Sequence, residues 1–461
     1  MLRRYIGNQA FYKRILAIAL PIIIQNTVTN FVQLLDNIMV GQVGTLEMSG
    51  VAVANTLVFV FNLCIFGGIS GAGIYVSQYF GCGDDQSIRY TFRYKILLGL
   101  LFSAIGIGIF YFGGDTLIKL YLTGEGSTQD IATTLYYGRE YLLVSLWGLV
   151  PFTLNVAYAG TLRECGKPMV PMVSGLLAVF VNLFLNYVLI FGHFGAPAMG
   201  VVGAAWATVI SRYVEFAIVA AWTHCNPKEL PFVKGVFRSF YIPGKLIGMI
   251  TLSSLPMLLN EGFWSGGEAM LIQIFSTKGL DVVPALNISS TILNLCNISV
   301  LSMGSVVGII LGQMQGAKGT PEQIGDTFRK TCFFTVLLSF VFGGILAAIS
   351  GVYPLLYNTT GNVRHLSTIM ILICAGQMPL VAYVYQCYYA MRSGGKTGIT
   401  FLFDGGFSWL IMIPITFCLC HFTDLSIVWV YLASRATFII KCLMGWIIMK
   451  KVNWIRDLTA K

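Results

Sequence analysis

The sequence predicts an all-α integral membrane protein with twelve transmembrane helices, arranged as two similar lobes of six helices. Hydrophobic residues make up 56% of its 461 residues and charged residues only 10%, whereas soluble domains carry about 25% charged residues. Apolar stretches of roughly 20 residues recur along the whole chain, and each is long enough to cross a bilayer as a helix. Lipid cannot form hydrogen bonds with backbone N–H and C=O groups, so each stretch is expected to be a helix, in which these groups bond to one another. An internal sequence repeat predicts the organisation into two similar lobes.

Twelve apolar stretches meet the length requirement for a membrane span, and the longest are expected to project beyond the bilayer. The predicted spans are 15–40, 50–78, 95–113, 133–160, 169–192, 200–222, 245–276, 284–312, 331–351, 367–391, 397–420 and 425–449.

The distribution of basic residues predicts the orientation of these spans. Most of the 29 Lys and Arg residues lie before the first span, after the last, or in every second loop. The segments on the opposite side of the membrane hold only Lys119, Arg139, Lys278 and Arg364. Cytoplasmic loops are enriched in Lys and Arg, so both termini are expected in the cytoplasm. Basic residues before an apolar stretch are also typical of a cleaved signal peptide. No Ala-x-Ala-like cleavage site follows the first span here, so that span is expected to be retained.

Composition also excludes several classes of protein. The net charge of +10 is spread over short loops rather than gathered on one face, which speaks against nucleic-acid binding. The 11 cysteines lie mostly inside apolar spans without a CxxC pair, so neither disulfides nor a cysteine-bound metal is predicted. No nucleophile–base set, paired metal ligands or glycine-rich phosphate loop is recognisable. The sequence therefore predicts neither an enzyme nor a cofactor.

The two halves of the chain repeat one another. Leu20-Pro21 matches Leu255-Pro256, and Gly81 matches Gly316 at the same offset. Each half has six spans and begins on the same side, which makes this a parallel repeat. Two similar lobes that rock against each other can expose a central site alternately to each side of the membrane, so the repeat favours a transporter. Channels are also symmetric, but they usually gain their symmetry by assembling subunits. The alternative interpretation of the repeat is that large membrane proteins commonly arise by gene duplication, in which case the repeat indicates nothing about function.

The repeat and the loops together predict four regions. They are an N-terminal six-helix lobe at 1–222, a cytoplasmic linker at 223–244, a C-terminal six-helix lobe at 245–449 and a cytoplasmic tail at 450–461.

Span 1 carries a polar stripe. Asn26, Asn30, Gln33 and Asn37 recur at spacings of four, three and four, and Asp36 lies along one flank. A carboxylate at the centre of a bilayer costs about 3 kcal/mol, so such a stripe should face protein or water. The alternative for Asp36 is an interfacial residue that contacts lipid headgroups.

Spans 5 and 6 contribute further polar groups in the first half. Asn182 and Asn186 lie one turn apart on one face of an apolar helix. Their structural alternative is hydrogen bonding between helices, which is common in membranes. Thr208 is a weaker candidate because a threonine in a membrane helix can bond to its own backbone.

Span 7 places two acids and an indole on one helical face. Glu261, Trp264 and Glu268 lie at positions i, i+3 and i+7, and acids beside aromatic rings suit a lipophilic cation. Tyr383 and Gln386 of span 10 could extend this wall, although core packing or the interfacial belt explains such tyrosines equally well. Asp404 and Tyr389 could also extend it, and Asp404 could equally pair with a nearby cytoplasmic base.

Several ordered motifs give the chain a resemblance to the multidrug and toxic compound extrusion (MATE) family over nearly its full length. The motifs are Ala19–Pro21, Asp36–Gly41, Gln78–Asp84, Ala159–Arg163, Leu189–Gly192 and Gly203–Thr208.

The resemblance implies two six-helix lobes around a V-shaped cleft and export of organic cations, including antibiotics, in exchange for H⁺ or Na⁺. It implies a monomer in the bacterial cytoplasmic membrane. In the family, positions matching Asp36, Asn182 and Asn186 form an ion site, so Asp36 is the candidate Na⁺ ligand and Thr208 is grouped with them. Glu261 matches a second-lobe glutamate of the NorM-like branch.

The predicted substrate-binding residues follow from the residue pattern and this resemblance. They are Glu261, Glu268, Trp264, Gln33, Tyr383 and Gln386. The chain departs from the NorM-like branch at Val381, where that branch has an acid. A lipid or lipid-linked oligosaccharide flippase is the alternative function, although it favours a basic cleft and more spans. A passive channel and a membrane enzyme are more distant alternatives.

Overall fold

The computed structural model describes residues 5–122 and 127–459. Within those residues, twelve helices are long and apolar enough to cross a membrane, which confirms the predicted all-α fold with twelve spans. We number them α1 to α12 in chain order. Their bounds are Gln9–Gly41, Thr45–Cys82, Asp85–Tyr121, Gln129–Glu164, Met169–Phe191, Gly200–Cys225, Gly244–Ser276, Val282–Gly316, Pro321–Ile349, Gly361–Ser393, Thr397–Phe422 and Ile427–Lys451.

Local signals explain where several helices begin and end. The Asp84 side chain accepts a hydrogen bond from the backbone N–H of Ser87 and caps α3. Thr320 and Gln323 form a reciprocal capping box at the start of α9, where Pro321 occupies the first turn. Gly192 ends α5 in a left-handed conformation with φ of 74°, which costs glycine nothing sterically.

Three kinds of irregularity occur within the long helices. Pro21 in α1 and Pro256 in α7, which are equivalent in the repeat, each remove a backbone donor from a helix interior. Helix α4 contains a 3₁₀ turn at Leu146–Gly148. Helix α11 contains π-helical turns at Leu402–Gly406 and Ser408–Met412, and such turns are frequent at functional sites.

The chain separates into two compact units. The first-half unit comprises Leu20–Val76 and Asp84–Thr251, and the second-half unit comprises Met1–Ala19, Ser77–Gly83 and Leu252–Lys461. The end of α2 therefore packs with the second half. The lobe boundaries inferred from the repeat place it with the first half and stay a prediction.

Much of the predicted linker is bound to α3 within the first-half unit. The Arg93 guanidinium donates to the backbone oxygens of Gly235, Val236 and Tyr241, and Arg89 Nε donates to that of Phe232. Carbonyl groups that would otherwise need water thus gain charged donors. This segment is therefore packed against α3 by hydrogen bonds.

Gln78, at the end of α2, holds the C-terminal tail inside the second-half unit. Its Nε2 lies 2.9 Å from Gln315 Oε1, 2.9 Å from the backbone oxygen of Ser393 and 3.0 Å from that of Arg456. Its Oε1 accepts a hydrogen bond from the backbone N–H of Leu458 at 2.7 Å. The side chain is fully buried. One amide group therefore joins α2, α8, α10 and the tail.

Two repeat-equivalent glycines permit this close packing. A Cβ at Gly316 would overlap the backbone oxygen of Gln78, and a Cβ at Gly81 would overlap that of Gln313. Each glycine thus admits the carbonyl group of the glutamine from the other half of the repeat. The same residues that reveal the repeat form a close contact between α2 and α8 within the second-half unit.

We expect Gln78→Leu to lower the free energy of unfolding by about 2 kcal/mol or more, because buried partners left without a hydrogen bond pay their full desolvation cost. The measurement is thermal or denaturant unfolding of the purified protein in detergent. Gln86→Leu, at an exposed position in α3, is the control and should change stability little. Equal losses in the two variants would contradict a structural role for the Gln78 amide.

Candidate functional site

Four predicted residues meet in the first-half unit. Asp36 of α1 accepts a hydrogen bond at Oδ1 from Asn186 Nδ2 of α5 at 2.6 Å. The amide of Asn182 satisfies its neighbours when its nitrogen faces the same carboxylate, 2.9 Å from Oδ1. Thr208 Oγ1 of α6 lies 3.4 Å from the other amide atom of Asn182. We call these residues the first-half polar site.

The first-half polar site is largely shielded and carries an unused acceptor. Asn182 and Asn186 are buried, at 6% and 1% exposure, while Asp36 is half-buried. The Asn186 Oδ1 atom is buried without a hydrogen-bond partner, which is costly unless something else occupies that position. Carboxylate, amide and hydroxyl oxygens are ligands that hard cations prefer. The site thus offers a carboxylate and a free amide oxygen to a proton or a small cation.

Tyr141 of α4 adjoins the first-half polar site and was not among the predicted residues. It is buried, lies within hydrogen-bonding reach of Thr208 and Asn55, and feels the charges of Asp36 and Arg212. Its hydroxyl group can extend the polar network toward α2. A tyrosine in an apolar span fits core packing equally well, so no sequence signal separated it from the other aromatic residues.

In the second-half unit, the α7 residues differ in exposure. Glu261 is half-buried, whereas Glu268 is exposed and Trp264 is 41% exposed. Arg392 and Asp404 are the charged groups that act on Glu261. Glu261 therefore combines partial burial with neighbouring charges, whereas Glu268 is exposed.

The α10 residues near these acids include Tyr389, which the sequence pattern had placed in this wall, and Tyr385 and Tyr388, which it had not. Tyr385 lies within electrostatic range of Glu261, Glu268 and Asp404. Tyr388 and Tyr389, on adjoining positions, lie near Glu261 and Asp404. Tyr385, Tyr388 and Tyr389 lie at positions i, i+3 and i+4 and therefore share one helical face. The sequence pattern contains this face, but it was counted from Tyr383 instead of Tyr385.

Tyr383 and Gln386 point toward other helices. Gln386 is fully buried, and its Nε2 donates to Thr335 Oγ1 of α9 at 3.0 Å. Tyr383 lines a cavity of about 870 Å³ together with Phe328 of α9 and Trp446 of α12. The structure does not bring these two residues together with the α7 acids. Their assignment to substrate binding stays a prediction.

Gln33 of α1 is exposed within the first-half unit. Asp404, for which a wall position and a base partner were both open, pairs with Lys441 of α12 at 2.7 Å. That base lies inside a span rather than in a cytoplasmic loop. Asp404 is therefore part of a largely buried ion pair and not an isolated carboxylate.

Comparisons with known proteins agree with this architecture. The sequence model of the MatE family matches residues 21–188. The chain is 22% identical to the probable multidrug resistance protein NorM of Thermotoga maritima, over 96% of this chain and 93% of that protein. It is 23% identical to the probable multidrug resistance protein YoeA of Bacillus subtilis, over 92% of this chain and 90% of that protein.

A solved structure has the same fold. A MOP superfamily transporter from Pyrococcus furiosus superposes with a TM-score of 0.80 at 18% identity, covering 98% of this chain and 99% of that one. The matched segment contains α2 to α4, Asp36 and both asparagines of the first-half polar site. Together these matches show that residues 21–188 fit the MatE family model and that the chain, a multi-pass membrane protein with twelve candidate spans among its described residues, resembles proteins named as multidrug resistance proteins over nearly its full length.

Proposed function

We propose that the chain is a secondary antiporter that exports lipophilic organic cations in exchange for H⁺ or Na⁺. The observation that carries this proposal is a carboxylate inside a membrane helix, Asp36, held by two buried amides beside a free amide oxygen. Ionisable residues within spans mark ion or substrate pathways by default. Relatives named as multidrug resistance proteins support a drug-like substrate.

The proposed ion step is an exchange of hydrogen-bond partners at Asp36. In the ionised state the carboxylate accepts from the amides of Asn182 and Asn186. A proton on Asp36 converts one acceptor into a donor, and a turn of the Asn186 amide would present its buried, unpartnered Oδ1 atom as the acceptor. A sodium ion would instead draw both oxygens toward itself. Either event changes how α1 is bonded to α5.

The proposed cation site lies around Glu261 in the second-half unit. Its half-buried carboxylate provides negative charge, and Tyr385 lies within electrostatic range of it. The ring of Tyr389 is already engaged by the Arg392 guanidinium, 5.5 Å from its centroid. Negative charge beside an aromatic ring attracts a lipophilic cation. Glu268, being exposed, would act as a peripheral charge that attracts cations without fixing them.

The driving force is sufficient for such export. A membrane potential of 100 mV supplies about 2.3 kcal/mol per charge, and a tenfold concentration ratio about 1.4 kcal/mol. One or two ions per cycle could therefore support a substantial drug gradient. We place the protein in the cytoplasmic membrane with both termini inside, in accordance with the distribution of basic residues, and propose that it acts as a monomer.

The direct test is uptake of a fluorescent organic cation into inverted membrane vesicles. We expect uptake when either an H⁺ gradient or a Na⁺ gradient is imposed, and collapse of uptake when the effective gradient is dissipated. Vesicles from cells that lack the protein are the control. Uptake that needs no gradient would indicate a channel, and scrambling of labelled lipid without cation uptake would indicate a flippase.

A further inference from the structure

Lys441 of α12 is a buried ammonium group in the middle of an apolar helix. Its side chain is only 3% exposed, and its Nζ donates to Asp404 Oδ1 of α11 at 2.7 Å. Lysine within a membrane span is costly, and away from the helix ends it marks function more often than packing. The surroundings of this group therefore call for an explanation.

Three aromatic rings surround the ammonium group. Lys441 Nζ lies 5.5 Å from the ring centroid of Phe403 and 5.4 Å from those of Phe407 and Phe438. A cation over the face of an aromatic ring gains electrostatic energy, and cages of several rings recognise alkylated ammonium groups. The rings come from both α11 and α12, so the cage depends on how the two helices pack.

The carboxylate of this site is itself held in place. Asp404 Oδ2 accepts from Asn260 Nδ2 of α7 at 3.1 Å. Asn260 Oδ1 in turn accepts from the backbone N–H of Gly405 at 3.1 Å. Gly405 lies in the first π-helical segment of α11, whose wider turn alters the backbone hydrogen bonding. One asparagine thus fixes both the acid and the irregular helix that carries it.

The repeat indicates that this arrangement is specific to the second half. By the register of Lys167 with Lys396, Asp404 corresponds to Gly175. By the register of Arg212 with Arg435, Lys441 corresponds to Ile218. The first half thus has a glycine and an isoleucine where the second half has this ion pair.

We propose that Lys441, Asp404, Asn260 and the rings of Phe403, Phe407 and Phe438 form a binding site for a primary alkylammonium ion, which the chain fills with its own Lys441 side chain. We call this group the ammonium site. The inference deepens the proposed function and rests on it in one respect: the tethered ammonium keeps Asp404 from acting as a second counter-ion for the exported cation. Glu261 is then the carboxylate left for that role in the second-half unit.

The test removes the tethered ammonium and supplies a free one. In purified Lys441→Ala protein, n-propylammonium should produce a saturable rise in the thermal midpoint of about 2 °C or more. Wild-type protein should show no such rise, because its own lysine fills the site. Neutral n-propanol should have no effect on Lys441→Ala, and the double variant Asp404→Asn/Lys441→Ala should lose most of the response.

A rise of the same size in the wild type, or none in Lys441→Ala, would overturn the proposal. If Lys441→Ala is too unstable to purify, its yield should recover when cells and buffers contain n-propylammonium but not n-propanol. If the double variant can be purified while Lys441→Ala fails even with n-propylammonium, the proposal is wrong. If both variants fail under every condition, the ion pair serves packing alone and the proposal is also wrong. These measurements detect binding, so they stand even if the wild type transports nothing.

Discussion

Replacing Asp36 by asparagine is expected to reduce cation uptake into inverted vesicles to the background level, while the protein remains inserted and abundant. The change keeps the shape of the side chain but removes the only charge within the first-half polar site, so neither H⁺ nor Na⁺ can be bound and released there. The neutral amide can still bond to Asn182 and Asn186, so stability should change little. Uptake and membrane abundance are measured on the same vesicles.

The matched control for this variant is Asp115→Asn. Asp115 is at the end of α3, its side chain is 42% exposed, and it pairs with Arg139 at 2.6 Å. Exposed ion pairs contribute little, so uptake should stay near that of the wild type. Full, gradient-dependent uptake by Asp36→Asn would remove Asp36 from the coupling step and leave the free Asn186 oxygen without the proposed role.

The second large effect is expected at Glu261. Glu261→Gln should raise the KM for the fluorescent cation roughly tenfold or more, because losing a charge-assisted contact costs about 1.5–3 kcal/mol and 1.4 kcal/mol is a factor of ten. A neutral amide retains the side-chain volume beside Arg392 and Asp404, so the fold should persist. The measurement is the dependence of initial uptake rate on cation concentration.

Glu268→Gln on the same helix face provides the comparison. Its side chain is exposed, so the charge is screened and its loss should change the KM less than that of Glu261. If the two variants raise KM equally, burial does not distinguish their roles. If neither variant changes KM, the proposed cation site in the second-half unit is wrong.

The sequence predicted the elements of this fold well because the relevant signals are local. Each of the twelve spans contains enough consecutive apolar residues to require a helix in lipid. The stripe in α1 and the pair in α5 follow from a period of 3.6 residues within a single helix. The helix caps at Asp84 and Thr320 likewise depend on neighbours three residues away.

Predictions about contacts between helices succeeded less evenly. Tyr383 and Gln386 were assigned to a wall with the α7 acids, but one lines a cavity with α9 and α12 and the other bonds to Thr335. Helical periodicity states which residues share a face, and it does not state which neighbour that face meets. Asp404 and Lys441 illustrate the same point, since nothing local pairs a carboxylate of α11 with an ammonium of α12.

The sequence by itself determined that this chain lies in a membrane, how many times it crosses, that its halves are duplicates, and that Asp36 and Glu261 are carboxylates inside spans. Only the tertiary structure decided that two amides hold Asp36, that Gln78 binds the C-terminal tail, and that Lys441 neutralises Asp404. The physical reason is that hydrophobicity and helical period act along one chain segment, whereas hydrogen bonds and ion pairs between spans depend on how the side chains of separate helices pack together.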